Sequence, residues 1–228
     1  MTESDAREEI CRVGQSLFQR GYVHATAGNI SLRLDDGGYL ITPTDACLGM
    51  LNPGRLARLD SRLEPLSGDR ASKTIALHAR IHDAARRFDP QTRCVIHTHS
   101  THCVALSLLP GYTPAAAGWP ELLPALTPYF VMKVGHVPLI GYQRPGAPEA
   151  AAAAAQAIAD YGSRGTPIRA LMLERLGPNV WHDSPAAAMA VLEELEETAR
   201  LWLLNGRQSD ALDPGCIDDL RRTFGARW

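Results

Sequence analysis

The chain has 228 residues, enough for one sizeable core, and its 45% hydrophobic and 21% charged content belongs to a folded globular protein rather than a disordered one. A formal net charge of -2 leaves no basic stripe for nucleic acid and no polybasic patch for a membrane surface. No apolar run reaches a membrane span, the start Thr2-Glu3-Ser4-Asp5 is unlike a signal peptide, and five irregularly spaced cysteines make no disulfide framework. The expectation is a single cytoplasmic domain over residues 1–228.

Ile10, Val13, Leu17 and Phe18 form an apolar stripe that predicts a helix over 4–20, stopped by Gly21. A small-residue turn, Ala25-Thr26-Ala27-Gly28, leads into a strand beginning near Asn29. Asp35-Asp36-Gly37-Gly38 then reads as a hairpin turn, with Tyr39-Leu40-Ile41-Thr42 returning. Ile75, Leu77, Ile81 and Ala84 predict a helix over 73–87. A β-branched strand ends at His97, and a short helix follows over 100–108. The stretch 109–128, dense in proline and glycine, reads as irregular. Residues 136–140 read as a strand that Pro138 makes an edge strand or a broken one.

Pro148 opens an alanine-rich helix to about residue 161, and 169–173 with 179–181 form a strand pair. Ser184-Pro185 caps and starts a long helix reaching Leu204, stopped by Asn205-Gly206. These elements predict one α/β domain with a central sheet, either mixed or antiparallel.

Cys94-Val95-Ile96-His97-Thr98-His99-Ser100 carries the most chemical information. On an extended segment the i, i+2 spacing turns both imidazoles to one side, a common opening for a divalent-metal site that wants a third protein ligand.

In order, these pieces resemble the class II aldolase/adducin family over residues 8–207. The likeness is carried by Thr26-Ala27-Gly28-Asn29-Ile30-Ser31, Ile41-Thr42-Pro43-Thr44, Ser72-Lys73 ahead of a helix containing His78, His97-Thr98-His99, and Gly177-Pro178. Three further runs resemble the 3-oxo-tetronate 4-phosphate decarboxylase branch of that family: residues 100–107, 126–135 and 193–199. The resemblance implies a class II aldolase-like fold, an α/β domain with a central, mainly antiparallel sheet flanked by helices. It also implies homotetramers with active sites between subunits, and phosphorylated sugars or sugar acids as substrates.

The family pattern further implies a divalent ion, commonly zinc, on three histidines. His97 and His99 match two of them. The third position holds Leu176, which cannot ligate. If residues 173–176 stay extended, Glu174 shares a strand face with Leu176 and is a candidate substitute, against the simpler reading of a solvent-facing residue or one paired with Arg175. His102 and His182 are weaker candidates, and His78 reads as a packed residue or one behind the ligands. The family's catalytic glutamate follows the Ser-Lys pair, where this chain has Thr74. Threonine cannot act as a base near neutral pH, though it suits a helix cap.

Gly28, Asn29, Thr44 and Ser72 offer neutral donors for a phosphate, Lys73 adds a cation, and Tyr129 matches a tyrosine that the family brings from a neighbouring subunit. Loss of the glutamate harms retro-aldol cleavage more than decarboxylation. The leading reading is therefore a metal-dependent lyase decarboxylating a 3-oxo sugar-acid phosphate, with Lys73, Thr74 and Tyr129 at the reacting end. Two alternatives stand beside it: a catalytically silent member used for binding or assembly, and an iron site built from His97, His99 and Glu174.

Overall fold

The computed structural model describes residues 2–111, 113–114 and 118–228. Helix α1 (Glu3–Gln19) begins with a capping box between Thr2 and Asp5 and ends at Gly21, whose φ of 75° suits a residue without Cβ. Its buried stripe is Ala6, Ile10, Val13 and Leu17. Phe18 corrects the sequence expectation: it is 39% exposed and lies over Gly49, where a Cβ would stand 2.6 Å from its ring.

The strands are β1 (Asn29–Arg33), β2 (Tyr39–Ile41), β3 (Ala57–Leu59), β4 (Pro65–Ser67), β5 (Cys94–His97), the short pair β6 (Thr113–Pro114) and β7 (Pro120–Glu121), then β8 (Leu139–Ile140), β9 (Ala170–Leu173) and β10 (Gly177–His182). Eight of them form one sheet in the order β4-β3-β2-β1-β5-β10-β9-β8. Every pairing is antiparallel except β8 with β9, so the sheet is mainly antiparallel, with Pro138 adjoining its edge strand as its missing N–H requires. Helices α2 (Ile75–Ala85), α3 (Thr101–Ser107), α4 (Pro148–Ser163) and α5 (Pro185–Leu204) flank it.

Alternation along the strands divides the core. Ile30, Leu32, Ile96, Met172 and Val180 face α1 and α5, while Val95, Leu171, Leu173 and Trp181 face α2 and α4. Among the elements not foreseen are β3, β4 and α6 (Pro214–Phe224). β3 and β4 have three residues each, too few for a readable period, and α6 buries no residue, so no core stripe announces it. The irregular stretch 109–128 contains β6 and β7; residues 112 and 115–117 of it lie outside the described residues.

A polar seam crosses the α2–β1 contact. The Ser31 hydroxyl sits 2.8 Å from His78 Nδ1 and 3.0 Å from His82 Nε2, and all three residues are buried. One hydroxyl proton can serve only one ring, so the other ring donates its N–H to the same oxygen. This bond pair fixes α2 in rotation and translation against β1.

Burial holds both histidines neutral: His78 well below its ordinary range and His82 down to about 3. Unfolded, they titrate near 6.5, so the unfolded chain takes up protons that the folded chain refuses. Their contribution is complete above about pH 6.5 and is lost as pH falls towards 3. The urea midpoint should therefore drop between pH 7 and 5, and His82→Gln should remove about one proton from that slope. An unchanged slope would reject the role.

Gly177 presses on the backbone between His97, the last residue of β5, and His99. Its φ is 144°, and a Cβ there would stand 1.9 Å from the Thr98 carbonyl oxygen. Gly177→Ala should lower stability by about 2–4 kcal/mol, read by urea unfolding, because β10 must move away from β5.

Candidate active site

Three loop segments are stitched together at one end of the sheet. The Ile30 amide donates to the Thr42 hydroxyl at 3.2 Å, the Ser72 amide to the Thr42 carbonyl at 3.2 Å, and the Thr44 amide to the Arg70 carbonyl at 2.9 Å. Residues 28–30, 42–44 and 70–72 therefore move as one unit. Gly28 is required where it stands: its φ is 85°, and a Cβ would approach the His97 carbonyl to 2.9 Å.

These segments wall a cleft of about 320 Å³. Gly28, Asn29, Thr44, Ser72, Lys73 and Thr74 all line it, as do His97 and His99. Tyr129 does not; it is 62% exposed and lies outside this cleft. The remaining walls are apolar, with Leu173, Leu176, Ala147 and Ala150 prominent. The charged side chains among the described lining are Lys73, Arg144 and Asp45.

Cross-strand register assembles the centre. His97 of β5 pairs with Asn29 of β1 on one side and Asn179 of β10 on the other, so all three side chains share a face. Asn29 Oδ1 and both amide atoms of Asn179 are buried without a hydrogen-bond partner. His97 Nδ1 donates to the Pro178 carbonyl at 3.0 Å, since a carbonyl only accepts. That fixes the tautomer and leaves Nε2 with a free lone pair. The His97 and His99 ring centroids are 5.1 Å apart. Burial lowers the His97 pKa to about 3, with a smaller contribution from His99, and burial followed by His24 lowers that of His99, so both rings are neutral near pH 7.

The two rings suit a divalent ion as far as they go. Leu176 lines the cleft and supplies no donor, and among the described residues no group of three His, Cys, Asp or Glu side chains is arranged to hold a metal. The substitutes weighed from sequence are engaged elsewhere. Glu174 Oε2 accepts from the Tyr142 amide at 2.8 Å, and its other oxygen faces Arg175 at 3.6 Å. His102 binds Glu196 and His182 binds Asp183, both at 2.9 Å, while His78 is bonded to Ser31. The chain thus offers two preorganised imidazoles and not the three-imidazole set, and the iron site with Glu174 is not assembled.

Thr74 stands at the N-cap position of α2 without making the expected cap. Its side chain bonds no helix amide, and its hydroxyl is instead 2.9 Å from that of Ser72. Sequence reasoning missed Asn179, Arg144 and His24. Register alone reveals Asn179, and His24, whose ring lies 6.3 Å from that of His99, is brought there by the 21–28 loop. Arg144 carried a readable signal in the Pro145-Gly146 turn that follows it.

A mainly antiparallel sheet with helices on both faces and a paired-histidine cleft at a strand end defines a class II aldolase-type protein. The chain belongs to the Class II Aldolase and Adducin N-terminal domain family, whose model matches residues 8–203. It is 50% identical to the 3-oxo-tetronate 4-phosphate decarboxylase of Cupriavidus necator over 100% of this chain and 99% of that protein. Identity to the enzyme of the same name from Escherichia coli K12 is 40%, over 96% of each. YgbL of Klebsiella pneumoniae, a candidate aldolase, epimerase or decarboxylase, has a similar structure at a TM-score of 0.84 and 39% identity, covering 97% of this chain and 100% of that one.

A third imidazole should convert the pair into a tight site. Leu176→His is expected to retain about one zinc per chain after dialysis against metal-free buffer, measured by elemental analysis, with the natural sequence retaining far less. Adding His97→Ala should remove the gain. Equal retention by both proteins would mean that another side chain already completes the site.

Proposed function

We propose that this chain is a lyase that releases carbon dioxide from a 3-oxo sugar-acid phosphate, as the names of its full-length relatives suggest. The observation that carries the reading is the cleft's chemistry: neutral phosphate donors beside two neutral imidazoles, with a threonine where retro-aldol cleavage needs a base. Decarboxylation needs no such base. The bond between C1 and C2 breaks, its electron pair forms a double bond to C3, and the 3-oxo oxygen takes up the charge as an enediolate. A proton delivered to C2 then leaves a hydroxy-ketone phosphate.

Gly28, Asn29, Thr44 and Ser72 bind the phosphate in this reading, and Thr74 holds the Ser72 hydroxyl in position through their shared hydrogen bond. Lys73 balances the negative charge and delivers the proton to C2. A divalent ion, zinc by family habit, would be held by His97 and His99 and would supply a Lewis acid for the 3-oxo oxygen. Tyr129 acts on the cleft of a neighbouring copy within a homotetramer; its exposure and its absence from the lining of its own chain's cleft suit that role. Five free cysteines, two of them buried, suit the reducing cytoplasm. Among the described residues no helix is long and apolar enough to cross a membrane.

A second reading rests on Leu176 and Thr74 together: a member that binds a sugar phosphate and does not turn it over. One assay separates the two. With zinc or manganese supplied, the protein should release carbon dioxide from a four-carbon 3-oxo acid 4-phosphate, and Lys73→Gln should slow release about 100-fold or more. Binding of that compound without turnover under full metal loading would select the silent reading.

A further inference from the structure

Arg144 lines the same cleft as the phosphate segments but arrives from a different part of the fold. The phosphate donors belong to the loops around β1, β2 and the start of α2. Arg144 belongs to the connection between β8 and α4, on the other side of the strand carrying His97 in the order β2-β1-β5-β10-β9-β8. Two cations, Lys73 and Arg144, thus approach one cleft from opposite sides of its central strand, against the single carboxylate of Asp45.

The connection is held in shape at both ends. Upstream, the Tyr142 amide donates to Glu174 Oε2 at 2.8 Å. Downstream, the Ala147 amide donates to the Arg144 carbonyl at 2.9 Å, with Pro145 and Gly146 between them and Gly146 at a φ of 80°. Proline followed by a positive-φ glycine is the signature of a type II turn, which places Arg144 at its first position directly ahead of α4. Glu174 is therefore a positioning residue for this loop. The Arg144 guanidinium has no carboxylate partner among the described ion pairs.

We propose that Arg144 determines substrate specificity by binding the carboxylate of a sugar-acid phosphate whose phosphate lies on the Ser72–Lys73 side. The assignment rests on the phosphorylated sugar-acid reading above. A planar guanidinium matches a carboxylate in two parallel hydrogen bonds, which a polyol terminus cannot reproduce. Decarboxylation drains charge from that carboxylate, so the contact favours the bound acid more than the transition state. Arg144 accordingly selects the substrate and is not a catalytic group.

The test uses two inert probes that cannot lose carbon dioxide. One is a four-carbon 2,3-dihydroxy acid 4-phosphate, and the other is the polyol phosphate with a hydroxymethyl group in place of the carboxylate. By titration calorimetry on the full chain, the natural protein should bind the acid about tenfold or more tightly than the polyol. Arg144→Gln should abolish that preference while changing polyol affinity less than about twofold, and Arg144→Lys should restore part of it. A preference that survives in Arg144→Gln, or equal binding of the two probes by the natural protein, overturns the assignment alone. If the natural protein binds neither probe, the phosphorylated sugar-acid reading falls, and the role of Arg144 falls with it. Unchanged polyol affinity in the Gln variant also establishes that the cleft is still folded.

Discussion

The site depends on the register of one four-residue strand. β5 is buried between β1 and β10, and its last residue, His97, is held opposite Asn29 and Asn179. A slip of one residue would turn His97 to the other face and send Ile96 into the cleft, because side chains alternate with a period of two. Three close contacts secure the end of this strand. Gly28 and Gly177 admit the backbones on either side, and the Pro178 carbonyl fixes the imidazole tautomer. The histidine pair is thus a consequence of backbone approach rather than of side-chain attraction, since two neutral rings gain little from each other.

The second anchor is the Ser31 seam. Because α2 is tied to β1 through His78 and His82, the Ser72-Lys73-Thr74 segment just ahead of α2 is carried to the cleft in a fixed position. A buried polar contact has one satisfied arrangement, whereas an apolar interface can slide. The residues that bind phosphate in the proposed function are thereby referred to the same strand that adjoins β5.

Much of this was legible in the sequence. Helices with an apolar period and clear stop signals stand within a few residues of expectation, as α1 and α5 illustrate, and the Asp35-Asp36-Gly37-Gly38 hairpin joins β1 to β2. The strands β3 and β4 were hidden by their shortness, and α6 by burying nothing. In the cleft, residues marked by chemistry were readable: His97 and His99 by spacing, and Gly28 with Asn29 by turn character. Asn179 was not, because an asparagine in a strand is ordinary until register sets it beside His97. At Glu174 the simpler reading, a residue paired with Arg175, is the one the structure shows. Strand periodicity made it a candidate ligand, while the chain reverses after β9, with Arg175 at a φ of 63°, and the Glu174 carboxylate turns to the Tyr142 amide.

Thr74 and Leu176, which depart from the family pattern, change the cleft in two different ways. A glutamate at position 74 would set a fixed negative charge beside Ser72 and would repel an anionic ligand strongly in a site with apolar walls. Threonine removes that charge and keeps a hydrogen bond to Ser72. Leucine at 176 removes a polar ligand and extends the apolar wall formed by Leu173, Ala147 and Ala150. The combined result is a cleft of two cations and one carboxylate with a greasy side. Such a cleft suits a ligand bearing two anionic ends better than one bearing a phosphate alone. Retro-aldol chemistry fares worse there, because Thr74, next to Lys73, has no carboxylate with which to take the proton from a substrate hydroxyl.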